Sequence, residues 1–482
     1  MRAYLAGALF CLLTAAAAAA APSATAPCPD CSLVLIGLDD VRADRVKAAS
    51  MPRLERFARD AAVFTQAVSP APWTLPAFVS LFTALHPSHH GVVNRYSDPS
   101  VDPPVPAVLG KSAPGARTLA DVLRAKGFRT AAFTGGAGLS GASGLSSGFE
   151  VYADSRSFGG FDLSVPEALA WLETRKAGER FFLFVHGYDA HGFHAGHFPP
   201  EEDERFRSRR DEGIGGARPP ADREERGRRE RRYDEALGRL DRNLAPLLDR
   251  LDRPELRGKV VVAVVGDHGE ELFEHGGVDH GLTLYDELLR VPLLLRVPGV
   301  KGRRVGFQVR TLDLMPTLLE LLGAAPDPAL AAQMEGVSLL PALRGETMTL
   351  DAFSETDFLL HASLRSLRTA DGWKGIYDRR TQKTQVFRPA SDPGERRDLA
   401  AKAPARRQEL EGRILAAFDQ EPLAPGAQAV VSGRWKKVRE GGEVWLFDLW
   451  QDPLRGMSKV QAQRPAAVPP EILEKMRREG YW

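Results

Sequence analysis

The chain has 482 residues, of which 43% are hydrophobic and 26% are charged, and its formal net charge is +1. This composition is typical of a globular protein that can bury a sizeable core. The balanced charge gives no indication of nucleic acid or of a strongly acidic partner. The length suits one large domain, or a large domain followed by a small one.

The first 21 residues have the layout of a secretory signal peptide. Met1-Arg2 supplies a positive start, residues 4–21 are apolar and alanine-rich, and Ala19-Ala20-Ala21 offers small residues for cleavage. The alternative is an uncleaved membrane anchor, because the run approaches spanning length. Cleavage is favoured, since alanine is weakly hydrophobic and no basic stop follows. We therefore expect an exported protein, periplasmic or extracellular, with no transmembrane span after cleavage.

Two of the three cysteines lie outside this segment, in the sequence Cys28-Pro29-Asp30-Cys31. They could form a small disulfide or provide half of a metal site. No second Cys or His pair stands nearby at zinc spacing, so the disulfide is favoured.

Short apolar runs alternate with helix-like stretches, which predicts an α/β fold with a largely parallel sheet. The strand-like runs are residues 32–38, 129–134, 181–185, 260–265 and 292–295, and the helix-like stretches are 52–62, 118–126 and 233–251. The run 32–38 is almost continuously apolar, as expected for a strand that is buried on both faces.

Two segments interrupt this alternation. Residues 201–232 are dense in charge, which predicts a solvated loop leading into a charged helix; the alternative is a lid near the site. From about residue 346, Trp373-Lys374 followed by Phe387 is echoed by Trp435-Lys436 followed by Phe447. The echo suggests two related antiparallel β pieces in a smaller C-terminal subdomain.

Acidic and imidazole groups follow several of the predicted strands. These groups are Asp39-Asp40, Asp189 with His191, and Asp267-His268. Ligands of open α/β sheets bind outside the carboxyl ends of the strands, so we expect these groups to converge. Clustered carboxylates repel one another and lose hydration, and a divalent cation relieves both costs. A mixed nitrogen and oxygen set suits zinc or manganese, whereas oxygen ligands alone favour calcium or magnesium.

Thr74 is the candidate nucleophile. Pro76 suits the first turn of a helix over residues 77–85, so Thr74 is predicted just before the helix, with its hydroxyl facing the free N–H groups. A threonine hydroxyl is a weak nucleophile and needs a metal to favour the alkoxide. The alternative is that Thr74 only caps the helix. His280, on a glycine-rich loop after the Asp267 strand, and His191 are candidates for holding an anionic oxygen.

Jointly, these segments resemble the sulfatases of the alkaline phosphatase superfamily. The similar stretches are residues 35–44, 51–65, 73–83, 265–270 and 280–292, within a match that runs from about 32 to 343. The resemblance implies an alkaline-phosphatase-like α/β fold, with a mostly parallel central sheet flanked by helices and a smaller C-terminal α+β subdomain. It implies a catalytic domain over residues 32–345 and a subdomain over 346–482.

The resemblance also implies roles for the site residues. Asp39, Asp267 and His268 would bind a divalent metal (zinc, manganese or calcium), with Asp40 as a further candidate. Thr74 would be the nucleophile, and His191 and His280 would hold the anionic oxygens or the leaving group. If a second metal is present, Asp189, His191 and His280 are the expected ligands.

One departure bears on the substrate. Sulfatases carry a Cys or Ser that is matured to formylglycine, followed by an arginine, whereas this chain has Thr74-Leu75-Pro76-Ala77-Phe78. Threonine cannot become that aldehyde. Thr74 looks like the threonine of phosphodiesterases and phosphoethanolamine transferases, so a phospho-ester or phosphonate is favoured over a sulfate ester.

The sequence therefore predicts an exported, sulfatase-like ester hydrolase. Its substrate would be a small-molecule, glycan or lipid anionic ester. Two alternatives stay open: a phospho-group transferase that uses an alcohol acceptor, and a catalytically silent binding module of the same fold.

Overall fold

The computed structural model describes residues 28–93, 96–98, 105–106, 108–109, 113, 115–154, 156, 158–191, 223–358, 362–418, 428–432, 435–440 and 443–448. The expected signal peptide and most of the charged segment 201–232 lie outside the described residues. Among the helices of the described ranges, none combines the length and the apolar character that crossing a membrane requires.

The strands up to residue 310 form one large sheet and two small pairs. In chain order they are β1 (Ser32–Leu38), β2 (Ala62–Val68), β3 (Tyr96–Asp98), β4 (Val105–Pro106), β5 (Arg129–Phe133), β6 (Val151–Ala153), β7 (Phe181–Gly187), β8 (Val260–Gly266), β9 (Glu271–Leu272), β10 (Val278–Asp279), β11 (Arg290–Arg296) and β12 (Arg303–Arg310). The large sheet has eight strands in the order β12-β2-β11-β8-β1-β7-β5-β6, and β3 pairs with β4 and β9 with β10.

The large sheet is mixed but mostly parallel, as the sequence predicts. β1 runs parallel to both β7 and β8, and β5 runs parallel to both β6 and β7. Only β11 is antiparallel to its neighbours, β2 and β8. The carboxyl ends of β1, β5, β7 and β8 therefore meet at one edge, where the candidate site residues follow.

Helices cover both faces of this sheet, and the last helix of the described ranges packs on the C-terminal strands instead. They are α1 (Pro52–Ala58), α2 (Thr74–Thr83), α3 (Pro87–His90), α4 (Leu119–Ala125), α5 (Phe161–Glu173), α6 (Arg223–Leu251), α7 (Pro254–Arg257), α8 (Asp286–Leu289), α9 (Leu314–Leu321), α10 (Pro328–Gln333), α11 (Leu340–Arg344) and α12 (Pro404–Phe418). The prediction of one helix over 52–62 was too long, because α1 ends at Ala58 and the alternating apolar residues from Ala62 form β2.

β1 shows why the sheet lies at the centre. Leu33 and Leu35 face a core cluster that includes Phe78 of α2, whereas Val34 and Ile36 face a second cluster on the other side. All four of these β1 side chains are fully buried, which explains the continuous apolar run in the sequence. The chain enters β1 through a disulfide between Cys28 and Cys31, the pairing that the sequence favours.

The C-terminal region contains antiparallel sheets. β13 (Ala352–Thr356), β14 (Leu364–Arg368), β15 (Lys374–Asp378) and β16 (Lys383–Phe387) form one, and β17 (Gln428–Ser432), β18 (Trp435–Glu440) and β19 (Glu443–Asp448) form another. The echo in the sequence has a backbone counterpart, since Lys374 lies opposite Phe387 and Lys436 lies opposite Phe447. The division at residues 345 and 346 stays a prediction.

Candidate active site

Thr74 is the first residue of α2, and its hydroxyl points to the edge of the sheet. The helix begins three residues earlier than the sequence predicts, with Trp73 as its N-cap. The expected orientation of the Thr74 hydroxyl toward the free N–H groups of the helix stays a prediction, whereas the alternative that Thr74 only caps the helix is wrong, because the N-cap is Trp73. Instead Thr74 Oγ1 donates to Asp39 Oδ1 at 3.0 Å and lies 3.3 Å from His268 Nε2.

The ends of β1 and β8 bring the acidic groups together. Leu38 pairs with Gly266 in the parallel register, so Asp39-Asp40 and Asp267-His268 leave the sheet side by side. Asp40 has a left-handed backbone (φ 62°), which is uncommon for a residue other than glycine. This turn lets the Asp40 N–H donate to Asp267 Oδ1 at 3.2 Å. The geometry confirms that these strand ends converge.

Asp39, Asp267 and His268 could hold one cation. One ligand atom from each lies within 4.8 Å of the other two, and all three residues are buried. His268 Nε2 is 3.5 Å from Asp267 Oδ2 and 3.8 Å from Asp39 Oδ1. Within the described part of the chain, the buried Oδ2 atoms of Asp39 and Asp267 accept no hydrogen bond. Buried carboxylate oxygens are costly without partners, so these residues fit a divalent cation.

The tautomer of His268 also fits a metal ligand. Its Nδ1 lies 2.9 Å from the carbonyl oxygen of Gly269, which can only accept, so Nδ1 carries the hydrogen. Nε2 then presents its lone pair toward Asp39 and Thr74. Burial, together with the nearby His280 ring, lowers the pKa of His268 to about 3, which keeps the imidazole neutral.

The carboxylates of this edge are crowded enough to hold protons when no cation balances them. Burial raises the pKa of Asp267 to about 8, and the Asp40 carboxylate acts in the same direction. Burial and the neighbouring carboxylates of Asp267 and Asp40 raise the pKa of Asp39 well above its usual range. A cation reverses both effects, because it favours the charged carboxylates.

His280 lies on the other side of His268 and is surrounded by carboxylates. Its Nδ1 is 3.0 Å from Asp279 Oδ1, 3.2 Å from Glu270 Oε2 and 3.7 Å from Asp40 Oδ1. Burial lowers the pKa of His280, but these carboxylates outweigh burial and raise it well above its usual value. The site thus has a neutral imidazole at His268 and a cationic one at His280, with ring centroids 4.4 Å apart.

His191 joins this group, whereas Asp189 does not. The His191 ring lies 5.3 Å from that of His280. The Asp189 carboxylate accepts from the Phe161 N–H at 2.7 Å and from Asn243 Nδ2 at 2.8 Å. In the described ranges, no set of three ligand atoms close enough to share an ion includes Asp189 or His191. The second-metal set expected from the resemblance is therefore not assembled here, because Asp189 is used to hold the start of α5.

Three residues near the site were not identified from the sequence. Glu270 is fully buried and contacts His280, and its place directly after Asp267-His268-Gly269 was the available signal. Arg42 donates to the Glu270 carbonyl at 3.0 Å and to Glu274 at 2.7 Å, which braces the loop. Tyr188 directly follows an apolar strand, so the sequence does not distinguish it from a core residue. Its hydroxyl and the Thr74 side chain lie on the same small residue, Gly138: a Cβ atom at that position would be 3.2 Å from the Tyr188 hydroxyl and 3.6 Å from Thr74 Cβ.

The similar curated proteins are sulfatases. The chain is 30% identical over 151 residues to Delta 4,5-hexuronate-2-O-sulfatase of Bacteroides thetaiotaomicron, and the aligned region covers 29% of this chain and 30% of that protein. It is 29% identical over 182 residues to choline-sulfatase of Rhizobium meliloti, which covers 37% of this chain and 34% of that protein. The matches thus span only about a third of these relatives.

Solved structures share the fold. Phosphonate monoester hydrolase of Agrobacterium radiobacter superposes with a TM-score of 0.61 at 18% identity, over 85% of this chain and 100% of that one. BT4656, solved in complex with its substrate D-glucosamine-2-N,6-O-disulfate, superposes with a TM-score of 0.60 at 16% identity, over 81% and 99%. The fold is therefore alkaline-phosphatase-like, with a large, mostly parallel central sheet and a C-terminal antiparallel subdomain. Because the Sulfatase family model matches residues 32–324, more than half of the chain, the protein belongs to the sulfatase family.

Proposed function

We propose that this protein is a metal-dependent hydrolase of phosphoric or sulfuric esters in which Thr74 is the nucleophile. The observation that carries the proposal is the position of Thr74 Oγ1, which lies 3.0 Å from Asp39 Oδ1 and 3.3 Å from His268 Nε2. A hydroxyl in contact with a set of cation ligands has the arrangement of an activated nucleophile.

Asp39, Asp267 and His268 would hold the cation, and Asp40 borders the same space. Their mixed carboxylate and imidazole donors suit zinc or manganese better than calcium. When bound, the divalent cation would lower the pKa of the Thr74 hydroxyl and neutralise the anionic oxygens of the ester.

The residues of this chain perform the remaining steps. The Thr74 hydroxyl releases its proton to bulk water, and Oγ attacks the phosphorus or sulfur atom. A Thr–O bond to that atom forms, and the bond to the leaving alcohol breaks. His280, whose pKa its carboxylates raise, and His191, whose ring lies 5.3 Å from that of His280, would be the groups that give the leaving alcohol its proton. A water molecule then attacks the covalent Thr74 ester, releases the acid and restores the hydroxyl.

A phospho-ester or phosphonate ester is the favoured substrate. Thr74 cannot be converted to formylglycine, so the route that sulfatases use for sulfate esters is not open to it. The similarity to curated sulfatases favours sulfate esters as the second candidate. Both candidate ester classes are consistent with an exported protein. In either case the substrate would be a small-molecule, glycan or lipid ester.

One experiment separates the functions. Metal content is measured on purified wild type and on Thr74→Ala, and both are assayed with p-nitrophenyl esters of phosphate, a phosphodiester, a phosphonate and sulfate. We expect a bound divalent cation in both proteins and turnover of the phosphorus esters only in wild type. Unchanged turnover in Thr74→Ala would overturn the assignment. Product formed only with an added alcohol would indicate a transferase. A protein that contains no metal and turns over none of the esters would be a binding module.

A further inference from the structure

Aromatic rings lead from the buried Thr74 toward the protein surface. His268 contacts Thr74 and its ring lies 4.4 Å from that of His280, which lies 5.3 Å from that of His191. The His191 ring stacks on Phe158 with centroids 4.7 Å apart and planes at 30°. The exposed fraction is zero at His268, intermediate at His280 and His191, and 46% at Phe158.

Phe158 is exposed and has a backbone conformation that a large residue rarely adopts. Its φ is +57°, in the left-handed region, and among the residues whose side chains the structure describes it is the only exposed Phe, Tyr or Trp. Strained backbones persist where the surrounding structure imposes them, and they concentrate at functional sites. An exposed apolar ring also forgoes the gain of burial. Neither cost is explained by packing of the core.

The turn that holds Phe158 is fixed to the sheet edge that carries the site. The next residue, Gly159, accepts from the Tyr188 N–H at 3.0 Å and donates to the Gly135 carbonyl at 2.9 Å. The Tyr188 ring, after β7, meets the Phe158 ring edge-on at 5.2 Å. Phe158 is therefore held in a fixed position relative to Thr74, as a binding surface must be.

We propose that Phe158, supported by His191 and Tyr188, is a platform for a ring in the alcohol part of the substrate. This inference rests on the proposed function, because it takes Thr74 as the point where the anionic ester binds. The substrate class it selects is an ester whose alcohol carries a flat ring or the apolar face of a sugar ring within reach of the anion. Such rings pack favourably on an aromatic face.

The test compares two anions that differ only in a ring. Phenylphosphonate and methylphosphonate are measured as competitive inhibitors and by calorimetry with the metal-loaded protein. The variants are Phe158→Ala, Phe158→Trp, which restores a flat face, and Val337→Ala, which removes an apolar side chain of similar exposure (38%) elsewhere. We expect Phe158→Ala to weaken the binding of phenylphosphonate by about 2- to 10-fold and to leave the binding of methylphosphonate unchanged. Phe158→Trp and Val337→Ala should bind both anions as wild type does.

Three results would overturn the platform. If Phe158→Ala weakens the binding of both phosphonates equally, Phe158 acts only by supporting His191 and is not a platform for a ring. If it weakens the binding of neither while esters are still hydrolysed, the platform fails and the proposed function stands. If wild type binds neither anion and hydrolyses no ester, the platform and the proposed function fail together.

Discussion

Thr74 Oγ1 lies 3.0 Å from Asp39 Oδ1, although 35 residues separate the two in the chain. Asp39 follows a strand that is buried on both faces, and Thr74 begins a helix that is buried throughout. Two rigid elements, rather than a loop, therefore fix the distance between the hydroxyl and the carboxylate. A site held in this way loses little free energy to ordering when a substrate binds.

The first prediction concerns the hydroxyl of Thr74. Thr74→Val keeps the shape of the side chain and removes the oxygen, so we expect kcat/KM for the best phosphorus ester to fall at least about 1,000-fold. Thr74→Ser keeps the oxygen and removes one methyl group, so its kcat/KM should stay within about tenfold of wild type. Both variants should retain the cation, as measured by elemental analysis. Equal losses in the two variants would argue against attack by this oxygen.

The second prediction concerns the cation. A chelator should lower the unfolding temperature of wild type, since a ligand at 100 times its Kd stabilises by about 2.7 kcal/mol. Asp267→Asn should show no such response, because one of the three proposed ligands is lost. Asp189→Asn is the matched control: this carboxylate also follows a strand, but it bonds to Phe161 N–H and Asn243. If Asp189→Asn abolishes the response and Asp267→Asn does not, the ligand assignment is wrong.

The aspartates that follow the strands indicate how much of such a site a sequence can predict. Asp39 and Asp267 could be identified because apolar strands end directly before them and parallel strands end at one edge. Asp189 gives the same signal, yet its partners, Phe161 and Asn243, come from helices whose approach depends on tertiary packing. The start of α2 was misplaced because Pro76 is compatible with several positions of the first turn.

The residues that were missed have a common physical reason. Tyr188 follows an apolar strand and is indistinguishable from a core residue until its neighbours are known. Lys374 looks like a strand residue with a solvated amine, but it is fully buried in the C-terminal sheet. Charge and polarity are visible in a sequence, whereas burial is decided by elements that are distant in the chain.

The third prediction follows from the burial of Lys374. Its Nζ lies 2.8 Å from Asp286 Oδ1 and 3.0 Å from Glu395 Oε1, so it links the start of α8 to the C-terminal sheet. Lys374→Met leaves the buried Glu395 carboxylate without this cation and leaves Asp286 with Arg368, 3.5 Å away, as its remaining ion-pair partner, and we expect the free energy of unfolding to fall by about 3–5 kcal/mol. Urea unfolding measures the change.

Lys383→Met is the control for this prediction. Lys383 begins β16, the strand next to that of Lys374, but it is exposed, so we expect a change within about 0.5 kcal/mol. The double variant Lys374→Met with Glu395→Gln should recover part of the loss, because the stranded Glu395 charge is removed. Similar losses for Lys374→Met and Lys383→Met would mean that the buried ion pairs do not stabilise the fold.

The fourth prediction concerns the pH dependence of stability at His275. Its Nδ1 lies 2.6 Å from Glu287 Oε1, and its ring stacks on Tyr285 at 3.5 Å. Burial lowers the pKa of His275, but the bond to Glu287 and the nearby Glu271 outweigh burial and raise it above the usual value. A raised pKa stabilises the fold fully below the unfolded value of about 6.5, and this stabilisation is lost as pH rises through the folded value.

His275→Gln should therefore reduce the free energy of unfolding more at pH 5.5 than at pH 9, as measured by urea unfolding at each pH. Glu287→Gln is the companion variant: it removes the carboxylate that favours the imidazolium, so the pH-dependent part of the His275 contribution should shrink in that background. A difference between wild type and His275→Gln that stays constant from pH 5.5 to pH 9 would show that the ring contributes by stacking on Tyr285 and not by its charge. Because stacking does not require a proton, the two contributions separate along the pH axis.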